Sequence, residues 1–148
     1  MSSERYIVNV EAAVIDRGRY LLVVRGMGEG HAAGAVSLIG GKVEGPEVSD
    51  DVLEETQRRE VEEGVGLRIR GRMEYVESKA FTTDDGERVV DVVFLCRHEG
   101  GGPRVVEPEE VSSLTWMTKE EVLAGEEVPA WTRRSISLAE QKRRALGW

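Results

Sequence analysis

The chain has 148 residues, the size of one domain able to bury a single substantial core. Apolar residues make up 40% and charged residues 32%, which places it among soluble globular proteins and argues against overall disorder. A formal net charge of -8 with no basic stripe argues against gripping a nucleic acid polymer through its phosphates, while a local acidic cluster can hold a cation that receives a small phosphorylated substrate.

Met1 to Arg5 leads into a polar-interrupted strand pattern and shows no secretory signal. Residues 6–15 alternate as a strand, Asp16 to Arg19 makes a turn, and Tyr20 to Val24 is a strongly apolar second strand, together a hairpin. Gly26 to Gly34 holds four glycines and reads as an irregular loop. Ala35 to Ile39 is a short strand running into Gly40 and Gly41. The pattern from about Ser49 to Glu63 is helical, with Ser49 as N-cap, Asp50 and Asp51 suited to the dipole, and Gly64 and Gly66 ending it. Residues 67–80 and 88–97 read as strands joined by a hairpin turn at Asp85-Gly86. Residues 111–117 form a last strand, anchored by Trp116, followed by helices over Lys119–Leu123 and Trp131–Ala145. With no repeat and no linker, residues 1–148 are expected to form one domain of the α+β class with a mixed sheet.

No apolar run approaches the roughly 20 residues that span a bilayer, so no membrane partner is expected. Cys96, the only cysteine, sits in an apolar run. It reads as a buried structural thiol in a reducing cytoplasm. His31 and His98 lack the spacing to make a zinc site with Cys96.

The acidic helix carries the most information. Glu60, Glu62 and Glu63 crowd its last turn, where the dipole disfavours negative charge by about 0.3–1 kcal/mol each. Glu60 and Glu63 are three residues apart and share a face, and Glu62 points elsewhere. A bound divalent cation reverses the penalty. The competing reading is a solvated face laced by the i,i+4 pairs Glu54–Arg58 and Glu55–Arg59. Upstream stand Gly40-Gly41-Lys42-Val43-Glu44 and then Glu47. Glycines at a strand end let the backbone approach a ligand, a freed carbonyl can coordinate a hard cation, and Lys42 is placed to meet a phosphate.

Gly-Gly-Lys-Val-Glu, a helix, Arg-Glu-Val-x-Glu and then x-x-Gly-Leu together resemble the box of the Nudix (MutT-like) hydrolases. Two departures stand out. Counted from Gly41 and Glu47, Arg59 arrives four residues late, about one helical turn. The second glutamate of the family's Glu-Glu pair, usually a metal ligand, falls at Gly64.

The resemblance implies a Nudix-type α/β/α sandwich that uses Mg2+ or Mn2+ to cleave a pyrophosphate linkage in a small nucleotide. The substrate classes implied are a nucleoside triphosphate, ADP-ribose, a dinucleoside polyphosphate or a nucleotide sugar. Glu60 and Glu63 would serve catalysis and, with a carbonyl of Gly40 or Gly41 and with Glu110, hold the metal. Glu107 to Glu110 is otherwise a solvated acidic loop. Lys42 would contact phosphate. Arg25 is either a second phosphate contact or a surface arginine, and Arg59 would pair with Glu47 to lock the loop on the helix. Phe81, Tyr75 and Trp131 either stack on a base or pack. Specificity is expected on the loops Gly26–Gly34 and Phe81–Arg88. The last helix either caps the core or meets a second subunit, as in the many relatives that form homodimers. The alternative to an enzyme is a Nudix-fold nucleotide-binding or sensor module that has lost its chemistry through Gly64.

Overall fold

A computed structural model describes residues 4–29, 32–45 and 49–148. The expected first hairpin is present: β1 (Ile7–Asp16) pairs with β2 (Arg19–Arg25), Asp16 facing Arg19. Arg17 and Gly18, both at positive φ (50° and 78°), make the two-residue turn, the twist that suits tight hairpins. β2 pairs with β1 only at Tyr20 and Arg19, leaving the N-terminal half of β1 an open edge on that side.

That open edge is taken up by the next segment of chain. The expected strand over residues 35–39 is two pieces, β3 (Val36–Ser37) on β2 and β4 (Ile39–Lys42) on β1, with Gly40 opposite Glu11 and Gly41 opposite Val10. The glycine pair therefore lies within a strand rather than beyond one. A Cβ on Gly40 would stand 2.0 Å from the Val10 carbonyl oxygen, so only glycine lets β4 close on β1.

The acidic helix, α1 (Val52–Val65), begins two residues later than the expected Ser49 cap implies, with Asp51 in the cap position. Asp51 takes a left-handed conformation (φ 53°, ψ 38°) and makes no side-chain cap, a geometry Asp tolerates better than most residues. Ser49 is not the cap: its hydroxyl donates to the Asp50 carbonyl. Gly64 lies inside the helix, and Gly66 alone ends it, at φ 75° with its N–H on the Glu62 carbonyl.

β5 (Arg68–Thr82) and β6 (Arg88–Gly100) form a long hairpin, and β7 (Val111–Met117) returns to the far edge of β2. Among the described residues the seven strands form one sheet, β3-β2-β1-β6-β5 with β4 and β7 beside it. It is mixed, since β1 and β6 run parallel and the other pairs antiparallel. α2 (Lys119–Ala124) opens with a capping box between Thr118 and Glu121, and α3 (Ala130–Leu146) ends the chain.

Strand alternation divides the core between the two faces of the sheet. Val10, Ala12, Val14, Leu21 and Val23 pack with Val61 and Val65 of α1, with Trp116 against them, as expected for that residue. Ala13, Ile15, Tyr20 and Leu22 pack with Val122, Ile136 and Ala139 of α2 and α3. Helix, sheet and helices thus make the three layers of an α/β/α sandwich. Among the described residues no helix is long and apolar enough to cross a membrane.

Candidate active site

α1 lies antiparallel to β4, and two glycines set their contact. A Cβ on Gly41 would stand 2.3 Å from Cδ of Glu60, so the carboxylate rests where any other residue would carry a side chain. A Cβ on Gly64 would meet Cδ1 of Ile39 at 3.1 Å. Ile39, Gly41 and Val43 therefore face α1, and alternation turns Lys42, exposed at the strand end beside Asn9, to the opposite face.

Burial holds the Glu60 carboxyl above its usual range. Arg59 opposes that shift, and the charges of Glu110, Glu63 and Glu44 add to it. Arg59 reaches Glu60 at 3.8 Å; its expected partner Glu47 lies outside the described residues, as does His31. Glu63 is exposed on the next turn. Glu110 is placed by main chain: the Gly26 N–H donates to the Glu110 carbonyl at 2.7 Å and the Gly28 N–H to the Glu109 carbonyl at 2.9 Å. Arg25, at a bulge opposite Val111, pairs with Glu29 at 3.0 Å.

Carboxylates from three segments thus act on Glu60. Among the described residues no three His, Cys, Asp or Glu side chains stand close enough to hold an ion. Like charges oppose such crowding. The donor set nevertheless suits a hard divalent cation: carboxylate oxygens, and a glycine strand whose lack of a side chain makes room for the Glu60 carboxylate. Gln57, one turn before Glu60, is fully buried, and among the described residues neither amide atom has a partner, at a cost of about 1–3 kcal/mol per unmet group.

The sequence pattern assigns no role to Glu44 or Gln57. Glu44 follows Gly40-Gly41-Lys42-Val43 directly, and its effect on Glu60 needs the folded loop. The one signal at Gln57 is a polar residue among the apolar positions of an amphipathic helix.

A second polar cluster lies on the other face of the sheet. Asn9 Nδ2 donates to Asp91 Oδ1 at 2.7 Å. Burial above all, then a hydrogen bond with Asp91 and its charge, hold the Glu11 carboxyl well above its usual range, against Lys79 and Arg25. Lys79 Nζ lies 4.0 Å from Glu11 and donates to Ser135 Oγ at 3.0 Å, joining β5 to α3. His98 pairs with Asp16 at 3.5 Å and lies beside Trp116. Tyr75, Phe81 and Trp131 are surface-exposed, and Cys96 is buried, which pushes its thiol up.

The model of the NUDIX domain matches residues 5–138. Among solved structures, the chain is similar to a MutT NUDIX hydrolase from Burkholderia pseudomallei, with 29% identity, a TM-score of 0.75, and coverage of 91% of this chain and 98% of that one. It is similar to the MutT protein of Methanosarcina mazei Go1 at 25% identity, TM-score 0.79, covering 97% and 99%. It shares its fold with the NUDIX domain of Shewanella oneidensis NrtR, solved with ADP ribose, at 20% identity, TM-score 0.72, covering 95% and 90%. No curated protein matches the chain.

Proposed function

The chain belongs to the Nudix family and is a Nudix-type pyrophosphohydrolase; we propose that it is a single domain that splits a nucleoside diphosphate linked to another group, with a divalent cation held at the α1–β4 contact. The observation that supports this most is the Glu60 carboxylate seated against side-chainless Gly41, the two ends of the box motif in contact.

Glu60, Glu63, Glu110 and a carbonyl of Gly40 or Gly41 would hold Mg2+ or Mn2+. When bound, the ion neutralises the diphosphate oxygens. Glu60 would accept a proton from the attacking water. Arg25, at the end of β2, would take phosphate charge, whereas Lys42, expected to do so from its place in the motif, faces away from Glu60 across β4. Water adds to one phosphorus and the bridging oxygen leaves with the other. The products are a nucleoside monophosphate and a phosphorylated remainder, or monophosphate and pyrophosphate from a triphosphate. The lone, buried Cys96 fits a reducing cytoplasm.

Gly64 supports a second reading, a binding module. Where relatives carry a carboxylate this chain has none, and Ile39 fills the adjoining space. A nucleotide panel (triphosphates, ADP-ribose, dinucleoside polyphosphates, nucleotide sugars) with Mg2+ or Mn2+, beside Glu60→Gln and Glu63→Gln, separates the two. Metal-dependent cleavage that collapses in both variants establishes the hydrolase and its site. Cleavage that survives both places the ligands elsewhere, and binding of one compound without turnover selects the module.

A further inference from the structure

Gln57 lies at the centre of the face that α1 presses on the sheet. It is 20° around the helix from Gly64, 40° from Val61 and 60° from Glu60, on a helix turning 100° per residue. Its neighbours on that face, Val61 and Val65, are apolar and fully buried, and they pack on Val10, Ala12 and Val14. Leucine or methionine would fill the same volume with no amide to satisfy. Both polar atoms of Gln57 are instead shut from solvent and, among the described residues, without a partner, so packing does not account for the residue. Residues three apart on a helix have Cβ atoms about 5–6 Å apart, within reach of a glutamine. On that side stands Glu60, whose carboxylate lies against a glycine and has Arg59 only at 3.8 Å.

We propose that Gln57 is a positioning residue for the metal site: its amide Nε2, unpartnered among the described residues, takes the Glu60 carboxylate as its acceptor when a cation is bound and so fixes which oxygen faces the cation. The proposal rests on the reading of Glu60 as a metal ligand. An amide in this place orients the carboxylate without adding charge to a site already crowded with acids, and it comes from the rigid interior of the helix rather than from a loop. Groups behind a ligand commonly contribute 10–100-fold in metal affinity.

The test is Mn2+ binding to the whole chain, followed by electron paramagnetic resonance, together with thermal unfolding of the metal-free protein. Gln57→Met, or Gln57→Leu should the methionine variant not fold, is expected to bind Mn2+ about tenfold more weakly and to melt no lower than wild type. Val61→Ala, a cavity on the same stripe, is expected to melt lower and to bind Mn2+ within about twofold of wild type, because it removes packing and no polar group. Unchanged Mn2+ affinity in the Gln57 variant overturns the proposal, as does equal weakening in both variants. Glu60→Gln separates the underlying reading. If it leaves Mn2+ binding intact, the metal site itself is wrong. If it weakens binding while Gln57→Met does not, only the role of Gln57 falls.

Discussion

Gly41→Ala isolates the contact on which the proposed chemistry depends. Gly41 is outside the left-handed region, so alanine meets no backbone strain there. Its Cβ would stand 2.3 Å from Cδ of Glu60 and 2.5 and 2.7 Å from the two oxygens, whereas ordinary contact begins at 3.4 Å. The carboxylate must retreat by about 1.1 Å (3.4 − 2.3). Only the far end of a flexible side chain is in the way, so the stability cost falls at the low end of overpacking, about 1 kcal/mol, a fall in Tm of about 2–4 °C. A misplacement of about 1 Å at a reacting group costs on the order of 100-fold in rate. Gly40→Ala is the contrast. Its Cβ meets the Val10 carbonyl oxygen at 2.0 Å, and backbone cannot swing aside, so about 3 kcal/mol is expected from lost β1–β4 pairing. Thermal unfolding and metal-dependent kcat/KM, measured on both variants, read the two effects separately. A Gly41→Ala enzyme with undiminished turnover would refute the placement of Glu60 at the reacting centre.

Gly64→Ala should raise Tm by about 2–4 °C, because alanine in a helix interior is better than glycine by about 1 kcal/mol and the Ile39 methyl at 3.1 Å can yield. A fall in calorimetric Tm would show that Ile39 cannot move. Glu140 accepts hydrogen bonds from Arg143 and Tyr20, and the Arg143 bond above all holds its pKa at about 2. A carboxyl depressed on folding stabilises above its unfolded pKa and loses that contribution as pH falls. Wild type should therefore lose its advantage over Glu140→Gln between about pH 4.5 and 2, followed by denaturant unfolding; a constant gap would refute the assignment. Glu11 is raised instead, so its folded form binds the proton more tightly and stability falls as pH rises above its unfolded value. Glu11→Gln should gain on wild type in Tm from about pH 4.5 upward, and a gap that shrinks with rising pH would contradict the buried acid pair.

The strand and helix order was legible because apolar periodicity is a property of consecutive residues, and the sheet faces derive from it. The divided strand at β3 and β4 was not, because it depends on β2 leaving half of β1 unpaired, a fact about partners far apart in sequence. The helix start was misplaced for a related reason: Asp51 turns left-handed, and nothing in Ser49-Asp50-Asp51 announces that. At the site, Glu60 and the glycine pair could be named from the motif, yet their contact is tertiary. The opposite facing of Lys42 is evident once the glycines are known to lie inside a strand. Asn9, Glu11 and Asp91 come from strands β1 and β6, and no spacing in the chain connects them.

The attachment of the loop bearing Glu109 and Glu110 has a consequence for how such a site can change. Its anchors are the amides of Gly26 and Gly28 on the carbonyls of residues 110 and 109, bonds available to any amino acid at the accepting positions. A side chain at 110 is thus presented from the same place whatever its chemistry, like a fitting in a fixed socket. The socket tolerates no such freedom, since a Cβ on Gly26 would lie 2.2 Å from the Glu109 carbonyl oxygen. Variation in what this arm offers to a substrate can then accumulate on the acidic loop at little cost to folding, while the two glycines that hold it stay constrained.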